Sequence, residues 1–343
     1  MNYPETGRFG IVTAPYAAEV RRREIRPLQP DEALIRIRSS ALCGSDVHIA
    51  KGKHPSVPLP ATVGHEFSGD VAALGADAPA HLLGKRVTAE PCRFCGRCPA
   101  CLRGEYNCCE SLRFIYRDGD GALADYIIVR ADSLFVLPDE LSYDAGALLE
   151  PLSVAVHAVR RSGTGFGDTV LIIGDGPIGL FTAAVCKRGG ASRILMAGHS
   201  DKRLELAREL GATDTLNTHE EDPVAWAMAL TQGQGVDKSF ECVGTEACMT
   251  QALRALRRGG EATVLGIYEQ PKITFDASLL ISRELTVRGA QGYCRDFPVA
   301  LSMAAELPME RLITHVFPLE ELPLALETAL DRSQGSIKVI LRS

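Results

Sequence analysis

The sequence predicts a two-domain α/β protein: a β-rich domain beside a doubly wound parallel sheet. Three observations carry this. From the start to about Ser142, short β-like runs alternate with Gly and Pro. From about Ser153 to Gln291 a strand, a Gly-rich turn and an amphipathic helix recur. At 343 residues the chain is long enough for two cores of ordinary size.

Taken in order, the first region offers strands at 33–38, 69–74, 86–90 and 125–129. The second offers strands at 169–173, 193–197, 214–217, 236–242, 262–267 and 285–289, with helices at 178–187, 202–210 and 248–256 between them. Beyond Gln291 come a helix at 297–306, a short run at 315–318, a helix at 320–330 and a closing strand at 337–341. This last stretch is expected to rejoin the first domain. The resulting division is 1–152 with 292–343, and 153–291.

Charged residues make up 23% of the chain and the net charge is −6, which gives no field for nucleic acid or an anionic membrane. No run of about twenty apolar residues is present, and the first ten residues lack an apolar signal core. A cytoplasmic location is expected. Of eleven cysteines, six lie between Cys92 and Cys109, and such density in a large chain points to metal rather than disulfides.

The apolar strand at 169–173 runs directly into Gly174-Asp-Gly176-Pro177-Ile178-Gly179. In a dinucleotide loop Gly174 permits the tight turn, Gly176 admits pyrophosphate and Gly179 lets helix and strand approach. Pro177 suits the first helical turn, and the free N–H groups there favour phosphate. An acid at the end of the next strand would hold the ribose hydroxyls of NAD, but Gly198 stands there. Ser200, Lys202 and Arg203 follow it and suit a 2′-phosphate, so NADP is favoured over NAD.

Cys95, Cys98 and Cys101 at two-residue spacing, then Cys109, form a compact set of four thiols that fits a closed structural zinc site. Cys92 and Cys108 are competitors for places in it. A second constellation is Cys43-Gly-Ser45-Asp46-Val-His48 with Gly64-His65-Glu66 and, later, Glu150. Cys43, His65 and a carboxylate are the ligand types of a catalytic zinc with one open position. Such an ion would lower the pKa of an alcohol, Ser45 and His48 being suited to carry its proton away. Asp46 is expected to accept the second N–H of His65. His157 and the other histidines are expected to be bland, and Trp226 to be core.

In this order and spacing, these motifs, with Leu149-Glu-Pro-Leu-Ser153 and Thr314-His-Val-Phe-Pro-Leu319, resemble the medium-chain zinc-dependent alcohol dehydrogenases, nearest their sorbitol (polyol) branch. The resemblance implies a GroES-like catalytic domain built from both chain ends, with a lobe at about 92–109, and a Rossmann domain inserted between them. It implies a catalytic zinc in the cleft on Cys43, His65 and Glu66, with Glu150 binding the metal or its water. The structural zinc falls to Cys95, Cys98, Cys101 and Cys109, and the subunits to a homodimer or homotetramer joined near 285–289. The implied reaction is reversible oxidation of a secondary alcohol in a polyol, sugar derivative, cyclitol or amino alcohol. A threonine-dehydrogenase-like or simple alcohol dehydrogenase shares the chemistry, and a zinc-stabilised binding protein without turnover is the non-enzymatic alternative. Gly292-Tyr293 and Ile49 depart from the branch in the pocket lining, and Gly198 departs in the coenzyme site.

Overall fold

The computed structural model describes residues 3–343. They divide into two units, one formed by the chain up to Glu150 together with Phe297–Ser343, the other by Pro151–Asp296.

The first unit is organised by the strand Glu32–Ala41. It pairs antiparallel with Glu66–Leu74, Tyr126–Arg130 and Lys338–Arg342, and all its residues except Arg36 and Arg38 are accordingly buried. Ala33, Ile35 and Ile37 share one face by the two-residue period and pack with Phe67, Val71, Val87 and Ile127. Arg86–Ala89, Leu134–Val136 and Ile313–Pro318 complete the sheet. Because Ile340 lies opposite Ala41 and Leu341 opposite Ser40, the C-terminal strand is built into the N-terminal sheet.

A hairpin of Thr6–Ala14 and Ala17–Glu24 precedes this sheet and has no counterpart among the expected strands. Its second strand, Ala-Ala-Glu-Val-Arg-Arg-Arg-Glu, carries almost no apolar alternation and is largely exposed. Pairing with the first strand, rather than its own pattern, makes it a strand.

The second unit holds six parallel strands in the order Asp214–Asn217, Arg193–Gly198, Thr169–Ile173, Val236–Glu241, Leu256–Val264 and Thr286–Gly289. This is the doubly wound order, and its direction reverses between Thr169–Ile173 and Val236–Glu241, where such sheets take their ligands. The fifth strand starts earlier than the 262–267 run suggested. Val236 already pairs with Leu256, and the register then shifts between Leu256 and Glu261, a stretch that contains the Gly259-Gly260 pair. Helix starts follow local chemistry. Asp222 accepts the N–H groups of Val224 and Ala225 at 3.0 and 2.9 Å, and Thr245 accepts that of Cys248 at 3.2 Å. Trp226 is half-buried against this unit's core.

The helix Leu149–Ser162 was not among the expected elements. One of its residues departs from expectation too: the His157 ring lies 2.8 Å from the fully buried Asp296, which also takes Arg160 at 2.5 Å and the N–H of Cys294 at 2.7 Å. No helix among the described residues is long and apolar enough to cross a membrane.

Close backbone approach sets one position in the first sheet. A Cβ on Gly69 would lie 2.1 Å from the carbonyl oxygen of Arg36 on the neighbouring strand. Gly69→Ala is therefore expected to cost about 2 kcal/mol or more, lowering the melting temperature by about 5 °C. Gly289→Ala, whose added carbon meets nothing within 4 Å, should leave it unchanged. Thermal melts of both variants by circular dichroism check the contrast.

Candidate metal centre and coenzyme loop

Sheet register brings the donors of the first cluster together. Ala41 pairs with Glu66, so Cys43, two residues beyond the strand, stands beside His65 and Glu66. One ligand atom from each of Cys43, His65 and Glu66 lies within 4.8 Å of the others. Glu150, at the start of Leu149–Ser162, stands just outside this set with its Oε1 4.0 Å from His65 Nε2.

Asp46 does not take the role expected of it. Its carboxylate accepts the N–H of Cys43 at 2.9 Å and that of Gly64 at 2.8 Å, while His65 Nδ1 is buried and makes no hydrogen bond. Asp46 thus ties the loop carrying Cys43 to the residue before His65. Two backbone donors in fixed positions outcompete a ring nitrogen on a rotatable side chain for the same oxygens.

Lys338 is a site residue that motif reading missed. Its buried ammonium donates to both oxygens of Glu66, at 2.6 and 2.5 Å, and to the carbonyl of Leu42 at 3.1 Å. All three of its protons are used. Burial alone would lower the Lys338 pKa, but Glu66, Cys43 and Glu150 together outweigh it and the net shift is upward. The available signal was a lone lysine inside the apolar run Ile337-Lys-Val-Ile-Leu341.

Around one lysine, then, sit a thiol and three buried carboxyls, from Cys43, Asp46, Glu66 and Glu150. Burial pushes the Cys43 thiol up to about 12, with Glu66 adding to the effect. Burial likewise raises Glu150 to about 8, against the opposing pull of His65 and with Glu66 and Cys43 reinforcing it. The cluster has more potential anions than compensating cations, and its nitrogen, sulfur and oxygen donors fit zinc in type and number. Ser45 Oγ is buried nearby with no hydrogen-bond partner, and His48 is half-buried on the same short helix, Gly44–Ala50. Tyr116 stacks on Phe114 and lies 5.2 Å from the His65 ring, which gives the centre an aromatic flank.

In the lobe, Cys95, Cys98, Cys101 and Cys109 place their sulfurs within 4.8 Å of one another. Backbone N–H groups point at them: Cys95 N and Ser111 N at Cys109 Sγ, and Cys98 N at Cys95 Sγ, each at 3.3 Å. The N–H groups of Cys101 and Glu110 pull the Cys98 thiol down to about 6, whereas burial and the neighbouring sulfurs push Cys101 up to about 12. Four sulfurs this close ionise together only around a cation, so the lobe fits a tetrahedral zinc with no position left open. Cys92 and Cys108 lie outside the set.

In the second unit, Gly174 has φ +112°, a turn that favours glycine. A Cβ on Gly179 would sit 1.9 Å from the carbonyl oxygen of Gly174, whereas one on Gly176 would meet nothing within 4 Å. Helix and strand therefore touch at Gly179, and the space in front of Gly176 is open to a phosphate. Pro177 and Ile178 open the helix Pro177–Arg188, with its unbonded N–H groups at that end. Gly198 ends the neighbouring strand; Ser200 caps Asp201–Leu210 without a side-chain capping bond; Lys202 is exposed and Arg203 half-buried. This loop and its helix end fit the pyrophosphate of a dinucleotide.

Comparison with known proteins agrees with this chemistry. Residues 29–139 match the alcohol dehydrogenase GroES-like domain and residues 177–306 the zinc-binding dehydrogenase domain. Sorbitol dehydrogenase of Bacillus subtilis (strain 168) is 33% identical over 98% of both chains. An L-threonine 3-dehydrogenase of the same organism is 34% identical over 92% of both. A crystal structure of a zinc-binding dehydrogenase from Sinorhizobium meliloti 1021 bound to NADP superposes with a TM-score of 0.91 at 32% identity, covering 99% of this chain and 100% of that one. Motifs, fold and relatives agree, and the chain belongs to the zinc-dependent medium-chain dehydrogenases, close to their polyol branch.

Proposed function

We propose that this oxidoreductase reversibly oxidises a secondary alcohol, in a polyol, sugar derivative, cyclitol or amino alcohol, to the ketone, with hydride transfer to NADP in preference to NAD. The observation that carries the reading is the convergence of Cys43, His65 and Glu66 donors beside the unpartnered hydroxyl of Ser45. Zinc bound there supplies Lewis acidity that eases loss of the alcohol proton. The nicotinamide supplies the hydride acceptor. Ser45 and His48 take that proton toward solvent, as hydroxyl and imidazole groups on one helical turn. Glu150, whose Oε1 lies 4.0 Å from His65 Nε2, would bind the zinc or its water. The unit containing both chain ends carries this chemistry, and the Pro151–Asp296 unit takes the coenzyme on Gly174, Gly176, Pro177, Ile178 and Gly179. A cytoplasmic homodimer or homotetramer completes the reading.

A threonine-dehydrogenase-like or simple alcohol dehydrogenase is the second reading, supported by the threonine dehydrogenase relative. Metal analysis combined with a spectrophotometric screen of polyols, amino alcohols and cyclitols against both dinucleotides decides between them. The expected outcome is two zinc ions per chain and turnover of a vicinal polyol with the larger kcat/KM for NADP. A preparation that turns over only threonine or simple alcohols selects the second reading, and a much larger kcat/KM with NAD removes the coenzyme preference.

Two substitutions separate the roles of the metals. Cys43→Ala is expected to lower kcat about a thousandfold or more, because several kcal/mol of charge stabilisation depend on the metal. It should leave the circular dichroism spectrum and the lobe zinc intact, and full turnover in this variant would end the catalytic-zinc reading at Cys43. Cys98→Ser is expected to lower the melting temperature by about 5 °C or more and to weaken subunit assembly, since a closed site offers no chemistry. Normal folding with complete loss of activity would contradict its structural role; melts and size-exclusion chromatography read it.

A further inference from the structure

Gly198 lacks a side chain for a reason that the coenzyme motif alone does not supply. A Cβ there would lie 2.5 Å from the Cβ of Asp175 and 2.6 Å from its Cγ and Oδ2. The space of an acid at the end of this strand is thus filled by another acid, which reaches over from between Gly174 and Gly176. Asp175 is 2% exposed. Its Oδ2 accepts the N–H groups of His199 and Ser200, both at 2.9 Å, and its Oδ1 stands 3.6 Å from Arg203 Nη1.

This carboxylate is already engaged with the chain itself. One oxygen is taken by two backbone donors and the other faces a guanidinium. What it does is shape the neighbouring loop. It pins the 199–200 backbone at the start of Asp201–Leu210 and holds Arg203 at the rim, where the side chain keeps 21% of its exposure. A long arginine oriented before the ligand arrives loses less freedom on binding, and guanidinium is the group that matches phosphate geometry.

We propose that Asp175 is a positioning residue for coenzyme choice: by occupying the volume above Gly198 and orienting Arg203, it makes this end of the site select a 2′-phosphate. The inference rests on the NADP reading above and names the residue that enforces it. Asp175 touches the loop and the arginine rather than the phosphate, so its effect is on discrimination.

The test uses the adenosine halves of the two coenzymes, 2′,5′-ADP and 5′-AMP, titrated calorimetrically into the full-length zinc-loaded protein. The unsubstituted protein is expected to bind 2′,5′-ADP at least about tenfold tighter than 5′-AMP. In Asp175→Ala that preference should shrink to about threefold or less, with 5′-AMP affinity kept within about threefold. Asp175→Asn, which keeps an oxygen for the two loop amides and loses the charge facing Arg203, should behave alike and carries the test if the alanine variant fails to fold. Adding Arg203→Ala to Asp175→Asn should cause little further loss, since the two act through one contact. A preference that survives in both Asp175 variants overturns the proposal while the NADP reading stands. An unsubstituted protein that binds the two probes equally removes the NADP reading, and the inference with it.

Discussion

A buried group of potential anions with a single lysine among them is the constraint on which the first unit's organisation depends. Cys43, Asp46, Glu66 and Glu150 gather around His65, and Lys338 is the one lysine that pairs with them among the described residues. Isolated carboxylates and thiolates are costly to bury, and each persists only if it is hydrogen-bonded, paired or bound to a metal. Asp46 is satisfied by two backbone N–H groups and Glu66 by the lysine. Cys43 and Glu150 have their pKa values raised by burial, so a divalent ion is the group that would let them ionise together.

The same constraint accounts for the placement of the C-terminus. Lys338–Arg342 enters the sheet antiparallel to Glu32–Ala41, and this register puts Lys338 beneath Glu66. A strand at the far end of the sequence thereby supplies the one cation that the N-terminal donors need. The ammonium, once buried, has all its protons bound, so the pairing specifies a geometry.

The second unit solves a related problem with backbone. Gly174, Gly176 and Gly179 each lack a side chain for a different reason: a left-handed turn, an open approach for phosphate and a close helix–strand contact. Gly198 adds a fourth reason, since its side-chain volume belongs to Asp175. A missing acid at the strand end is thus a consequence of packing as well as a clue to the coenzyme.

By itself the sequence determined the class of the fold, the parallel sheet and the types of donor, while it left open which carboxylate joins Cys43 and His65. Strands buried on both faces are apolar runs, the coenzyme loop is a local strand–glycine–helix motif, and cysteines at two-residue spacing converge whatever surrounds them. Only the tertiary structure decided how those donors are satisfied. Asp46 binds backbone rather than His65, Lys338 reaches Glu66 across 272 positions of sequence, and Asp175 fills the space above Gly198. The Lys338–Glu66 pair is a long-range contact between side chains, while Asp46 and Asp175 are placed by backbone that folding brings beside them. The hairpin strand Ala17–Glu24 was illegible for the same reason, because its polar run becomes a strand only by pairing with Thr6–Ala14. Local chemistry is written in spacing, whereas partners are chosen by the register and packing of the folded sheet.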